Sequence, residues 1–370
     1  MDFSSPARRG TAPVRTLVAQ AAALALLLGS AAAQAAPTVY LSDDTTLDYS
    51  LTLSYAASVR TSAAAAEYLA DLNNDDATRN VKKGGLINNR ASALGEVRIK
   101  HKNLGFMARG TGFYDSVYRG GNQNDSLSTV NKVGPADEFV SETRKRSGQD
   151  GRILDFYGYG NWVVGNDQHL SVKLGQHVVA WGESLFWPNI SQGQVPVDAT
   201  KFNVPGTEAK ESYLPVGQLS ASLGLTDSLT VTGYYQYKWE KSRLNPVGDY
   251  FGSDYFGPGA QFYRLAPGAI GSLPDRSFAV ANYAGEITAR NSGQWGVGAR
   301  YQLSDTTELT VLANYTHLDG VHNGGAFLPY VGTVVAAPFG YISRDANFTE
   351  PGIDDYNREQ GALGYELKHN

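Results

Sequence analysis

The residues best placed to do chemistry fall in one alternating stretch and the segment after it. Lys173, His177, Trp181 and Glu183 occupy odd positions, while Leu170, Val172, Leu174, Val178 and Ala180 occupy the even ones between them. On an extended chain that spacing sends the first set to one face and the apolar set to the other. The segment 185–214 then carries Phe186, Trp187, Ile190, Val195, Val197, Phe202, Val204 and Tyr213, with Asp198 among them. It is too apolar to lie comfortably in water as a loop. Folded back over the polar face, it would make Lys173, His177, Trp181, Glu183, Phe186, Trp187, Asp198 and Phe202 a constriction. An apolar constriction with a few placed charges suits a hydrophobic or amphipathic solute. The alternative is packing, with the same side chains filling and stiffening the interior.

Other chemistries find less support. The histidines are His101, His169, His177, His317, His322 and His369, and His177 is the one expected in the middle of the strand region, with Glu183 and Ser184 nearby. No G-x-S-x-G elbow and no H-E-x-x-H zinc motif occurs, so no catalytic residues are assigned and an enzyme is not expected. With no cysteine, disulfides and thiolate metal sites are excluded. Asp71-Leu72-Asn73-Asn74-Asp75-Asp76 opens like a calcium-binding EF-hand loop. The sixth position is Asp76 instead of glycine and the twelfth is Lys82 instead of glutamate, so an EF-hand is rejected. These residues read as turn formers, with a weak surface calcium site left open. Arg144-Lys145-Arg146 reads as solvated loop, with lipopolysaccharide phosphate contact as the sharper alternative. No metal or cofactor is assigned. A net charge of −5 argues against a nucleic-acid partner.

The elements that would position these residues are strands. From Leu47 to Val59 the odd positions read Leu, Tyr, Leu, Leu, Tyr, Ala, Val, against Asp48, Ser50, Thr52, Ser54 and Ser58. The alternation returns in 229–239, 295–301 and 309–315, and several runs end in Tyr or Trp. Such runs arise when one face meets hydrocarbon and the other water. Short turns at Asn103-Leu104-Gly105, Gly165-Asn166-Asp167, Thr226-Asp227-Ser228 and Ser304-Asp305-Thr306 alternate with long connections at 61–90, 116–152, 184–216, 241–293 and 317–359. Residues 1–35 have a basic start (Arg8, Arg9, Arg15), a short apolar run, and Ala33 and Ala35 before a cleavage point, as a secretory signal peptide does. Mean hydropathy is −0.30 and no later apolar run is long, which excludes a helical membrane protein.

These patterns predict an all-β, transmembrane, antiparallel up-and-down β-barrel over 36–370, with about ten strands and long extracellular loops. The last strand is expected at 360–368. The chain then stops at Leu367-Lys368-His369-Asn370 without a terminal aromatic strand residue, which suggests the N-terminal part of a longer barrel. A complete small barrel with an unusual end is the alternative. The inward charges Glu96, Arg98, Lys100, Arg109, Asp155, Lys173, Lys238, Glu240 and Arg300 are mixed in sign. They are expected to pair across strands, with weak ion selectivity.

The stretch from Val172 to Ser184, VKLGQHVVAWGES, resembles the V-R-V-G-R-Q-V-V-x-W-G-E-S segment of a family of large Gram-negative outer-membrane proteins, domain of unknown function 1302. Further matches are Pro196-Val197-Asp198, Val204-Pro205-Gly206-Thr207-Glu208, SASLGLTDSL at 220–229, YQYKWEK at 235–241 and PVGDYF at 246–251. The chain departs from the family at 189–194, where Val195-Pro196 replaces the usual Asn-Pro before Val-Asp. The resemblance implies an outer-membrane barrel, often encoded near hydrophobic-compound metabolism or efflux components, and supplies no substrate. The function expected is therefore passage or binding of small, hydrophobic or amphipathic molecules in the cell outer membrane. A structural or surface-interaction barrel without transport is the second reading. Partners expected are outer-membrane lipid and lipopolysaccharide, the barrel-insertion machinery, small hydrophobic solutes, and efflux or periplasmic components.

Overall fold

The computed structural model describes residues 38–126, 129–165, 167–179, 195–205, 207–264, 280–304, 307–315, 319–321, 334–335, 341–342 and 363–369. Residues 1–35, expected to be a signal peptide, lie outside these residues. The regular structure of the described part is β with a few short helices, and no helix in it is long and apolar enough to cross a membrane.

Ten strands form one antiparallel sheet: β1 (Thr38–Ser42), β2 (Thr45–Val59), β3 (Leu86–His101), β4 (Leu104–Asp115), β5 (Gln149–Val164), β6 (Gln168–His177), β7 (Val216–Gly224), β8 (Leu229–Gln236), β11 (Gln294–Ser304) and β12 (Thr307–Tyr315). They are joined in chain order from β1 to β8, then β11 and β12, and among the described residues β1 and β12 do not pair with each other. The turns predicted from sequence connect β3 to β4, β5 to β6, β7 to β8 and β11 to β12.

The number ten agrees with expectation, but its membership differs. The short strand β1, which the alternation of longer runs did not reveal, pairs with β2 through a two-residue turn. β14 (Val334–Val335) and β15 (Tyr341–Ile342) pair with each other, and the predicted last strand exists as β16 (Leu363–His369) in a separate four-stranded sheet. There it pairs parallel with β10 (Val280–Ile287) and antiparallel with β13 (Asp319–Val321). β10 and β9 (Phe262–Arg264) interrupt the connection expected to be loop over 241–293. Strand propensity is local, whereas the choice of partner strand is set by tertiary contacts.

The two faces of the ten-stranded sheet are chemically opposite. On one, Tyr49, Leu51, Leu53, Val97, Phe156, Leu174, Val231, Val297 and Val311 are exposed. In register across β7, β8, β11 and β12 this face carries Leu219, Tyr235, Trp295 and Tyr315 in one row. The other face carries Ser50, Glu96 and Arg109 in one row, and Asp48, Arg98, Met107 and Tyr157 in the next. Leu94, Met107, Leu154 and Tyr234 are buried there.

Three long connections, 60–85, 116–148 and 241–264, knit into one cap. It has its own small apolar core of Val81, Tyr118, Val130, Ala136, Phe139 and Val247. Thr143 Oγ1 donates to Val247 O at 2.6 Å, Asn80 Nδ2 to Gly248 O at 2.8 Å, and Arg264 Nη2 to Val130 O at 2.6 Å. Arg144, Lys145 and Arg146 end a short helix, α3 (Ser141–Arg146), in which Lys145 and Arg146 pair with Glu142. Two shorter helices, α1 (Ala66–Ala70) and α2 (Asp76–Arg79), precede it in the first connection.

Candidate functional site

Residues 195–214 fold into a finger that is stitched to itself before it meets the sheet. Asp198 N donates to Ser212 O and Leu214 N to Pro196 O, both at 2.8 Å. Asp198 also accepts from Thr200 N at 3.1 Å, which starts a 3₁₀ turn at Ala199–Lys201. The return arm begins with α4 (Ala209–Ser212), where Glu208 and Glu211 form a reciprocal capping box. This box satisfies backbone donors that a single helical turn otherwise leaves bare.

Charged contacts then dock the finger on the polar face of β3, β4 and β5. Lys210 Nζ lies 3.0 Å from Glu96 Oε2 and 3.1 Å from Glu208, and Arg109 Nη2 donates to Lys210 O at 3.3 Å. Thr111 Oγ1 donates to Glu211 Oε2 at 2.8 Å. Lys201, 7 % exposed at its side chain, sits 3.7 Å from Glu211, 9 % exposed, and 5.0 Å from the Phe113 ring centroid. Burial pulls the Lys201 ammonium below its usual pKa, with Glu211 and Asp198 opposing the shift. Under the other arm, Arg243 bridges Asp150 at 2.6 Å and the buried Asp198 at 3.3 Å. Arg109 pairs with Asp155 at 2.5 Å.

The residues singled out in the sequence divide as follows. Asp198 is buried and pairs with Arg243 at the base of the finger. Lys173 lies on the polar face, opposite Ser220, with Nζ 5.6 Å from the Tyr157 ring centroid. His177 is not in the middle of its strand: it is the last residue of β6 and 1 % exposed. Its Nε2 lies 2.7 Å from Ser220 Oγ and its Nδ1 3.1 Å from Gly175 O. A carbonyl can only accept, so Nδ1 carries the proton, and Ser220 donates to Nε2 of a neutral ring. The Ser–His distance is that of a nucleophile and base, but Nδ1 faces a backbone carbonyl and not a carboxylate, and the ring is buried. Gly175, inside β6 at φ 133°, holds a backbone conformation that favours glycine, and a Cβ there would overlap Phe156 O.

Phe202 departs from expectation: it is 59 % exposed, because the 3₁₀ turn carries it away from the sheet while Lys201 turns inward. Trp181, Glu183, Phe186 and Trp187 lie outside the described residues. Sequence reading missed Lys201, Lys210, Glu211 and Arg243. The usable signal was Glu208-x-x-Glu211, whose spacing fits a helix start. The inward charges do not only pair across strands; Glu96 and Arg109 also hold the folded-back chain. Among the described residues no three His, Cys, Asp or Glu side chains gather as a metal-holding group.

Comparison with curated proteins and with solved structures finds no match. Residues 16–361 match the family described as "Protein of unknown function (DUF1302)", and the chain belongs to that family.

Proposed function

We propose that this chain forms an outer-membrane β-barrel that passes or binds small hydrophobic or amphipathic molecules. The observation that carries the reading is the opposition of its two faces. One is an exposed apolar surface with an aromatic row, and the other is a polar surface on which the finger 195–214 is fastened. Trp295 and Tyr301 on β11 put exposed aromatic side chains at the two ends of one apolar run, the placement that interfacial girdles take in such barrels. Closure of the sheet into a barrel, export through 1–35, and insertion among lipid and lipopolysaccharide by the barrel-insertion machinery belong to this proposal. Efflux or periplasmic components would be its neighbours on the inner side.

The finger would narrow the lumen, with Lys173, Asp198 and the Lys210–Glu96 pair as its fixed charges. Charges of both signs, with Asp198 and Lys210 paired to opposite charges, give no strong preference for cations or anions. A second reading, a structural or surface-interaction barrel without transport, draws on the same ion pairs, because they would also hold a static plug. Planar-bilayer recordings and solute uptake into proteoliposomes separate the two. A defined open state and uptake of an apolar solute support transport. A silent bilayer, with heat-modifiable gel mobility showing a folded barrel, refutes transport and leaves the structural reading.

A further inference from the structure

Successive rows of the polar face differ in how their charges are matched. In the row where the finger docks, Glu96 accepts from Lys210 Nζ at 3.0 Å and from Ser50 Oγ at 3.2 Å, and Arg109 pairs with Asp155 at 2.5 Å. One row closer to the short turns, Arg98 stands in register between Asp48 and Met107, with Tyr157 beyond. The row after that runs Lys100, Gly105, Tyr159 and Lys173. Among the described residues, Arg98, Lys100 and Lys173 have no carboxylate within ion-pair distance. Asp48, directly across from Arg98, accepts from Thr38 Oγ1 at 2.6 Å instead. Arg98 is exposed, and its guanidinium carries five donors and no acceptor. Lys173 Nζ has only the Tyr157 ring close to it, 5.6 Å from the centroid.

Between these cations the strands carry an apolar floor. Met107 is buried, and Tyr157 and Tyr159 are half-buried with ring centroids 6.1 Å apart and planes at 53°. Tyr159 lies across β4 because Gly105 has no side chain; a Cβ there would overlap the phenol ring. Lys100 on β3 and Lys173 on β6 are three strand spacings apart, ~14 Å at ~4.8 Å each, with the floor between them. At the Arg98 end a cavity of about 260 Å³ is lined by Asp48, Tyr49, Ser50, Glu96, Arg98 and Met107. Glu96 is held by Lys210 of the finger, so a molecule that passes the finger meets Arg98 and Met107 next.

We propose that this part of the polar face is a binding subsite for a carboxylate-bearing amphipathic molecule. Arg98 holds the carboxylate, Lys100 beside it and Lys173 across the floor add positive charge, and the apolar body rests on Met107, Tyr157 and Tyr159. The inference rests on the barrel reading, in which this face lines a lumen, and it names the class of molecule bound there. A guanidinium fork matches a carboxylate with two parallel hydrogen bonds. A phosphate would fit the same fork, but its second charge would face Asp48 and Glu96 in the same cavity, and juxtaposed like charges cost affinity. A cationic head would meet three cations and carboxylates that are already engaged.

The test is calorimetric titration of the full chain, folded in neutral detergent micelles, with phenylbutyrate, phenylbutanol and phenylbutylamine. These share one apolar body and differ in the head group, and the heat with micelles alone is subtracted from each. The acid should bind ~10-fold or more tightly than the alcohol, the gain expected of charge-assisted hydrogen bonds, and the amine should bind weakest. Arg98→Gln should bring acid and alcohol together, and Arg98→Lys should keep part of the difference, with folding of each variant checked by heat-modifiable mobility. Equal affinity of acid and alcohol for the unmodified chain overturns the subsite and leaves the barrel reading standing, as does tighter binding of the amine. Binding of none of the three overturns the subsite and, with it, the reading that the barrel binds small amphipathic molecules. A preference for the acid that survives Arg98→Gln in the folded variant overturns the role given to Arg98. The ligand comparison on the unmodified chain decides even where a variant does not fold.

Discussion

Glu211→Ala is the perturbation that most directly tests how the finger is held. Glu211 Oε2 accepts from Thr111 at 2.8 Å and faces the Lys201 ammonium at 3.7 Å, both side chains being under a tenth exposed. Truncation leaves Lys201 inside without its nearest carboxylate. Removing one partner of a buried pair costs ~3–5 kcal/mol, and the lost Thr111 bond adds ~1 kcal/mol. The finger has a cheaper response than global unfolding, which is to lift off the sheet and hydrate Lys201. At ~1.4 kcal/mol per decade, a loss of ~4 kcal/mol, the lower end of that sum, raises the detached population roughly 1000-fold. The chain has no cysteine, so a single cysteine at the exposed Phe202 can carry a spin label. The expected result is a sharp, mobile spectrum in Glu211→Ala against a broad one in the parent. Combining Lys201→Met with Glu211→Leu should restore most of the ordered signal, since an apolar pair of similar volume leaves no buried charge. A Glu211→Ala spectrum identical to the parent, or a double variant as mobile as the single, would refute this account of the docking.

Lys210→Ala should behave differently. That ammonium is 36 % exposed, and such pairs contribute at most ~1 kcal/mol, so chemical denaturation should shift little while proteoliposome uptake rises as the narrowing relaxes. On the apolar face, Leu53→Arg (Leu53 is 67 % exposed) should cost ~2–4 kcal/mol in lipid and reduce the heat-modifiable fraction. Thr52→Arg, one residue along on the other face, should not; equal effects would mean the faces are misassigned. The cap should respond to pH through Asp254 and Asp76, whose pKa values of about 8 and about 6 lie above the ordinary 3.8. Both bind protons more tightly when folded, so their contribution is complete below ~4 and is lost as pH rises through about 6 and then about 8. The melting temperature in EDTA should fall between pH 5 and 8.5, less so in Asp254→Asn, and a flat profile would count against this.

What the sequence by itself determined was the strands and their sidedness. In β2, alternation of Leu and Tyr with Ser and Thr fixes which side chains share a face, because that depends only on the two-residue repeat of an extended chain. The hairpin turns were legible for the same local reason. β1, with five residues, was too short to show a period. The apolar content of 185–214 pointed to folded-back chain; in its described part Asp198 is buried, whereas Phe202, expected inside by the same reasoning, is exposed by a 3₁₀ turn. Only the tertiary structure decided which charges hold the finger. Lys210 meets Glu96 across 114 residues, Glu211 meets Thr111 across 100, and Arg243 meets Asp150 across 93. It likewise decided that β16 pairs with β10 and not with the ten-stranded sheet. Such partners are chosen by the three-dimensional path of the chain and by which charges must be neutralised once buried, and no periodicity along the sequence records that choice.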